Sequence, residues 1–368
     1  MKDSGQLLAV LNTQTVIVVA LVALAALAAV ATVAAVVRRR RAAATVAPPR
    51  AAPGRLSPHP TSQAPAGHRL ELPLSAGRLA AQAWGSSGEL VLCLPGLAAT
   101  SGTFAAVGPA LADRHRVVAL DLRGRGRSEA TPPGSYGWEA HARDVLEAAS
   151  LLGADRFAAI GHSMGAYVAM QAAALAPRRL AAVVLIDSAG TPDPLAASRL
   201  LLSVRGLTAK RDSAEEHARA FRAAGVVQPW SEVWEQALLD DLVTSSDGVR
   251  RRTSGAAVKE DVAHAITRRP RALWDALEMP VLLVRATRPI TRMGGFVVPA
   301  RERDAISAHV PELRVVEVAA NHLGVLTHPD TVGAIRDFLA APGALKAGSA
   351  ERLLDADHLD AGRGGATW

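Results

Sequence analysis

The amino-acid sequence predicts an α/β fold in which a mostly parallel sheet is flanked by helices, carries a helical cap insertion and follows one transmembrane helix. Short apolar runs alternate with longer helical patterns between residues 68 and 342, the alternation breaks over 191–278, and residues 16–37 carry no charge. The 368 residues are 49% hydrophobic and 20% charged, enough to bury a large core. A single cysteine, Cys93, excludes a disulfide framework and a cysteine-based zinc site.

The short apolar runs predict strands, because continuous apolar strands between helices are typical of a parallel sheet covered on both faces. The predicted strands are 69–74, 78–84, 89–94, 116–121, 157–161, 181–187, 280–286 and 313–318. The predicted helices are 103–112, 138–152, 164–176, 301–309 and 330–340. The insertion at 191–278 has a helical pattern, and its tryptophans indicate either an apolar pocket or a cap core. The sequence leaves the oligomeric state open.

The uncharged segment 16–37 predicts a membrane anchor. Its 22 residues would span roughly 33 Å as a helix, which is enough to cross a bilayer core. Four arginines, 38–41, follow directly, so the positive-inside rule places everything after them on the cytoplasmic side. The alternative is a signal peptide cleaved within 42–47, which would lead to a secreted protein.

The net charge of +7 belongs to the N-terminal segment. Residues 1–70 hold eight Lys/Arg and one acid, whereas the rest of the chain carries 33 charges of each sign. A neutral body excludes a nucleic-acid partner. The predicted domain organisation is an anchor at 1–41, a Pro/Ala-rich linker at 42–67, a folded body at 68–342 that includes the cap, and a tail at 343–368.

The pentapeptide 161–165 (GHSMG) lies directly after a predicted strand and opens a helix, the context in which G-x-S-x-G forms a nucleophile elbow. Its glycines permit a sharp turn that exposes the Ser163 hydroxyl. A serine nucleophile needs a base, and His322, in the loop after the last strand, fits the chain order in which the histidine comes last. His328 and His309 are the alternatives for the base.

These motifs, together with 121–128 (DLRGRGRS), resemble α/β-hydrolase-fold serine hydrolases of the esterase and lipase type, over residues 68–341. The resemblance implies a triad whose acid commonly lies after the strand 281–286. Residues 286–289 (ATRP) hold no acid there. A minority of the family places the acid at the end of the preceding strand, which here is Asp187. Glu302 and Asp304 are the alternatives.

The resemblance also implies an oxyanion hole made by the backbone N–H groups of Leu97 and Met164. It implies no cofactor and no metal. Residues 95–96 read Pro-Gly where many relatives have His-Gly, a departure that concerns loop geometry rather than chemistry.

The implied reaction is cleavage of a carboxylic ester or related acyl compound through an acyl-enzyme, on a small and apolar acyl substrate. The same triad serves acyl transfer to another acceptor or to peroxide, and a non-catalytic binding protein of this fold is the third possibility. Epoxide hydrolases and dehalogenases of this fold need an aspartate nucleophile, and the serine at position 163 disfavours both.

Overall fold

The computed structural model describes residues 67–204, 209–246, 248–290 and 294–341. Its strands are β1 (His68–Leu74), β2 (Gly77–Trp84), β3 (Glu89–Leu94), β4 (His115–Leu120), β5 (Phe157–His162), β6 (Leu180–Ile186), β7 (Leu242–Ser245), β8 (Gly248–Arg251), β9 (Val281–Ala286) and β10 (Leu313–Val318). Its α-helices are α1 (Val107–Leu111), α2 (Trp138–Leu151), α3 (Met164–Leu175), α4 (Pro194–Val204), α5 (Ala214–Ala223), α6 (Glu232–Asp240), α7 (Gly255–Ile266), α8 (Ala300–His309) and α9 (Pro329–Ala340).

Eight strands form one sheet in the order β1-β2-β4-β3-β5-β6-β9-β10. Strands β4, β3, β5, β6, β9 and β10 are parallel, and β2 pairs antiparallel with both β1 and β4. The mostly parallel sheet flanked by helices is therefore confirmed. Because parallel strands end at the same edge, the loops after β3, β5, β6 and β10 meet there.

Helices cover both faces of the sheet, as the apolar strands require. Along β3, Leu90, Leu92 and Leu94 pack into one core with α2, α3 and α8. Val91 and Cys93 point to the opposite face and pack with α1 and α9. This two-faced burial is why β3 reads as a continuous apolar run rather than an alternating one.

The cap, residues 191–278, lies between β6 and β9 in the chain. It contains the helices α4 to α7, and β7 and β8 form an antiparallel hairpin within it that the helical pattern did not predict. Gly248 has φ of +119°, a conformation that residues with side chains rarely adopt, and a Cβ at this position would lie 2.6 Å from the Arg211 carbonyl oxygen. The four-residue strands are too short for a period-2 pattern to stand out.

The predicted helix 103–112 is interrupted. Residues Ser101–Phe104 form a 3-10 turn and α1 begins only at Val107. Pro109 has no N–H to donate to the carbonyl four residues earlier, so a helix cannot run through from the 3-10 turn. In the first turn of α1 the missing N–H costs nothing, because that group has no helical partner in any case.

The predicted anchor, the predicted tail and the predicted linker up to residue 66 lie outside the described residues. Within the residues that are described, no helix combines the length and apolar character needed to span a bilayer.

A buried ion pair joins the cap to the body. Arg125 Nη2 lies 2.5 Å from Asp261 Oδ2 on α7, and both side chains are fully buried. Asp261 also accepts hydrogen bonds from His141 Nε2 at 3.0 Å and from the Gly137 N–H at 2.7 Å. Burial disfavours the carboxylate, but the bond from His141 and the charge of Arg125 outweigh it and lower the pKa of Asp261 to about 2.

Replacing Asp261 by asparagine is expected to destabilise the protein by about 3–5 kcal/mol, because the buried Arg125 charge loses its counter-ion. In the native protein, the stabilisation that ionised Asp261 contributes should be complete above its unfolded-state pKa of about 3.9. It should be lost as the pH falls toward about 2, since folding lowers the pKa of Asp261. Urea unfolding at pH 7 and pH 3 measures both effects. The exposed pair of Asp275 with His309 supplies the control, and Asp275→Asn should change stability by less than about 1 kcal/mol. Equal losses for both variants would contradict the assignment.

Candidate active site

Ser163 lies on a sharp turn between β5 and α3. Its backbone has φ of 55° and ψ of −121°, a conformation that costs a non-glycine residue about 1–3 kcal/mol. A side chain at position 161 would overlap the Gly165 backbone, and one at position 165 would overlap the Leu94 carbonyl. Both glycines of the pentapeptide are therefore needed for the close approach of strand, turn and helix.

His322 is buried in the loop after β10, and its side chain connects the serine to a carboxylate. Its Nε2 lies 2.9 Å from Ser163 Oγ, and its Nδ1 lies 2.8 Å from Asp187 Oδ2. With Nδ1–H donating to the carboxylate, Nε2 is left to accept the serine proton. The structure thus brings together the three residues that the sequence analysis selected as nucleophile, base and acid.

Asp187 is the first residue after β6, and hydrogen bonds hold both its backbone and its side chain. Its N–H donates to the Val284 carbonyl at 2.7 Å, and its Oδ1 accepts the Ala286 N–H at 3.0 Å. Ala286, the last residue of β9 and the first of the acid-free segment 286–289, therefore contributes a backbone donor to the acid. Within the described residues, Ser163 and Asp187 are the two non-glycine residues with positive φ, and the side chain of each is hydrogen-bonded to His322.

The structure does not bring the alternative acids to His322. Glu302 pairs with Arg271, with Oε1 at 2.7 Å from Nη2, and Asp304 is largely exposed beside Arg303. Burial works against ionisation of Glu302, but the Arg271 hydrogen bond outweighs it and lowers the pKa of that carboxyl. Glu302 also accepts a hydrogen bond from the Thr191 backbone, so it supports the loop that follows Asp187.

The alternative bases are occupied elsewhere. His328 caps α9 by accepting the Asp330 N–H through Nδ1 at 3.2 Å. His309, at the end of α8, faces the carboxylate of Asp275 at 2.8 Å. Of the three candidate histidines, His322 alone contacts Ser163.

The two expected oxyanion donors flank the serine. Among the described residues, neither the Leu97 N–H nor the Met164 N–H donates to an acceptor within the protein. A Cβ at Gly96 would lie 3.2 Å from the Ser163 Cβ, which shows how closely the loop after β3 approaches the nucleophile. Free N–H groups in this place can stabilise the negative oxygen of a tetrahedral intermediate.

Two arginines fix the loop that carries Leu97, and the sequence analysis did not single them out. Arg125 Nε donates to the Leu97 carbonyl at 3.1 Å, and Arg251 Nη2 donates to the Ala98 carbonyl at 2.6 Å. Residues 121–128 match the pattern D-x-R-G-x-G-x-S, in which position 125 is an x, so the motif gives no reason to single out Arg125. Arg123 of that segment is instead bound to Asp144.

A cavity of about 90 Å³ opens between β1, β2 and the loop after β4. Its lining includes Asp121, Arg127 and Asp241 but none of Ser163, Asp187 or His322. The cavity is therefore separate from the candidate active site at Ser163, Asp187 and His322.

Comparison with known proteins gives a consistent picture. A family model described as alpha/beta hydrolase fold matches residues 89–329. The chain is 40% identical over 132 residues to a serine hydrolase-like protein of Danio rerio, covering 35% of this chain and 40% of that protein. It is 36% identical over 104 residues to N-formylmaleamate deformylase of Pseudomonas putida, covering 28% and 39%. The chain thus spans about 40% of the length of these curated relatives.

The similarity to solved structures extends over most of the body. The crystal structure of E-2-(acetamidomethylene)succinate hydrolase aligns with a TM-score of 0.68 at 23% identity, covering 75% of this chain and all of that chain. At this identity the likeness concerns the fold.

Proposed function

The chain belongs to the alpha/beta hydrolase fold family, and on that premise we propose that it is a serine hydrolase acting on a carboxylic ester or a related acyl compound. The observation that carries the proposal is the continuous hydrogen-bonded path from Ser163 Oγ through His322 to Asp187, with 2.9 Å and 2.8 Å steps. Nucleophile, base and orienting acid within hydrogen-bond reach are what serine catalysis requires.

The reaction follows from the geometry. Ser163 Oγ attacks the acyl carbon while its proton passes to His322 Nε2, and the carbonyl oxygen becomes negative between the Leu97 and Met164 N–H groups. Asp187 stabilises the imidazolium. The intermediate collapses, the bond to the leaving group breaks, and the leaving group takes the proton from Nε2. Water, deprotonated by His322, then attacks the acyl-enzyme, and Ser163 leaves with the proton returned to it.

A fluorophosphonate probe tests the proposal. It should label Ser163 in the purified protein, located by peptide mass spectrometry, and should not label Ser163→Ala. A panel of p-nitrophenyl esters of graded acyl length identifies the acyl preference, and we expect an apolar acyl group. N-formyl and N-acetyl amides belong in the same panel, since one relative is named as a deformylase. Absence of both labelling and turnover would indicate a binding protein instead.

Acyl transfer by the same triad is separated from hydrolysis by the fate of the acyl group. Assays with an added alcohol or with hydrogen peroxide would yield the corresponding ester or peracid at the expense of the free acid. Hydrolysis is the stronger proposal because the relatives include a serine hydrolase-like protein and a deformylase.

We further propose that residues 16–37 anchor the protein in a membrane with the hydrolase body on the cytoplasmic side, because arginines 38–41 follow the apolar segment. A cysteine introduced in the linker by Ser57→Cys should be shielded from membrane-impermeant thiol reagents in intact cells and become reactive after permeabilisation. Cys93 is buried and should not interfere. Ready labelling of intact cells would favour the signal-peptide alternative.

A further inference from the structure

The loop that carries His322 is hydrogen-bonded to the cap through the preceding residue. The Asn321 N–H donates to the Gln228 carbonyl at 2.7 Å, and Asn321 Nδ2 donates to the Val226 carbonyl at 3.0 Å. Asn321 Oδ1 accepts the N–H groups of Gln228 and Gly324, each at 3.0 Å. The buried amide therefore uses its side chain and backbone to join two segments that are about 90 residues apart in the chain.

A second connection runs through the aromatic rings. Trp234 of α6 donates its indole Nε1–H to the Leu323 carbonyl at 2.9 Å. The same indole meets His162 edge-on, with ring centroids 6.0 Å apart, and His162 stacks on His322 at 4.9 Å. The cap thus contacts the base through an uninterrupted series of three rings.

His162 itself holds the backbone of the base. Burial, and then the neighbouring His322, lower the pKa of His162 to about 3, so its ring is neutral at physiological pH. Its Nε2 lies 2.8 Å from the His322 carbonyl and must carry the proton, since a carbonyl only accepts. Consecutive carbonyls, those of His322 and Leu323, are accordingly bound by ring N–H groups from two different elements.

The fit between the loop and the cap is tight. A Cβ at Gly324 would overlap the Gln228 carbonyl, so the two backbones are in direct contact. The loop is therefore bound on the side of Asn321, on the side of Gly324 and at the carbonyl of the base. A base held in this way keeps Nε2 aligned with Ser163 Oγ without reorganisation during turnover.

We propose that three cap residues, Val226, Gln228 and Trp234, form a clamp that holds His322 in its productive position, with Asn321 and Trp234 as positioning residues. The proposal rests on the serine-hydrolase function given above. The proposal requires the cap to stay hydrogen-bonded to the loop that carries His322 during turnover. This part of the cap therefore stays in place while substrate enters. Displacing it would misalign the base even though Ser163, Asp187 and His322 all lie outside the cap.

Trp234→Phe tests the ring connection. Phenylalanine keeps the aromatic packing against His162 but has no N–H for the Leu323 carbonyl. We expect kcat to fall about tenfold with KM changed less than about threefold, because positioning of the base matters in the transition state more than in substrate binding. The matched control is Trp230→Phe, since Trp230 lies in the same segment and its ring contacts Phe221 and Arg222. Unchanged kcat in Trp234→Phe, or an equal loss in the control, would overturn the proposal.

Asn321→Ala tests the amide connection and should lower kcat by about 10²-fold, again with little change in KM. Combined with Trp234→Phe, the loss should be smaller than the product of the two single losses, because both substitutions release the same loop. If the loss of kcat in the double variant equals the product of the two single losses, the two residues act independently, which would count against a shared clamp.

Hydrogen exchange measured by mass spectrometry gives a readout that does not depend on turnover. The amides of Asn321 and Gly324 are donors in the clamp, so peptides covering 319–326 should exchange faster in Trp234→Phe and Asn321→Ala than in the native protein or in Trp230→Phe. If the native protein neither labels with fluorophosphonate nor hydrolyses any ester, the proposed function fails. Faster exchange would then still support the clamp, and unchanged exchange would refute it. If Asn321→Ala does not fold, Trp234→Phe decides both measurements.

Discussion

Replacing Ser163 by alanine is expected to lower ester hydrolysis by at least about 10⁴-fold, leaving what the oxyanion hole and substrate binding alone contribute. The serine Oγ is the atom that attacks the acyl carbon, and its 2.9 Å contact places it where His322 can take its proton. No other hydroxyl among the described residues is bonded to His322. Initial rates with the preferred ester of the panel, for native and variant protein, measure the loss.

The same substitution should leave thermal unfolding nearly unchanged. Ser163 is only half-buried, and alanine would occupy the same positive-φ backbone, so the strain of the elbow is not relieved or increased. Losing the one hydrogen bond between Ser163 Oγ and His322 costs about 0.5–1.5 kcal/mol. Ser198→Ala, in an exposed part of the cap, is the control and should retain full activity. Full turnover by Ser163→Ala would exclude the serine mechanism.

The parts of the fold that were predictable from sequence are those with local signals. Strands such as β3 and β6 are apolar runs because both faces of the sheet are covered, and the elbow at Ser163 combines a strand end, two glycines and a helix start. The ends of the strands were displaced by about one residue, as at Asp187, which follows β6 instead of ending it. Such offsets leave the face and the edge of each strand unchanged.

The parts that were not predictable depend on contacts between distant residues. Asn321 precedes His322, but nothing in the sequence links it to Gln228. A tryptophan at position 234 likewise predicts apolar packing as readily as a hydrogen bond to the Leu323 carbonyl. Arg125 shows the same limit: it stands at an x position of the motif, and its importance comes from the Leu97 carbonyl and from Asp261 in the cap. A single sequence contains no record of such pairings.

The acid was assigned from a family resemblance and from the absence of a carboxylate in residues 286–289. The structure adds the reason why this arrangement works. Ala286, the last residue of β9, donates its N–H to Asp187 Oδ1, and Asp187 Oδ2 faces His322. Tyr167 and Trp274 donate to the carbonyls of Gly190 and Ala189, which holds the following loop in place.

Asp187→Asn is expected to lower kcat by about 10²–10⁴-fold while preserving the fold, because the two side chains have nearly the same shape. The Ala286 N–H requires an acceptor, so the amide oxygen should take the place of Oδ1 and the NH₂ group should face His322 Nδ1. A donor in that position favours the tautomer with the proton on Nε2, and that tautomer cannot accept the proton of Ser163. The variant also fails to stabilise the imidazolium, so the loss should appear mainly in kcat rather than in KM.

Glu302→Gln and Asp304→Asn are the matched comparisons, since each neutralises one alternative acid. Glu302 is bound to Arg271 and Asp304 is largely exposed, so neither variant should approach the loss in Asp187→Asn. Steady-state kinetics of the three variants with one ester therefore rank the carboxylates directly. Near-normal turnover in Asp187→Asn together with a large loss in either comparison would place the acid after β9. If all three variants retain activity, Ser163 and His322 work as a dyad. The Asp187 contact would then orient the imidazole ring without being needed to stabilise the imidazolium.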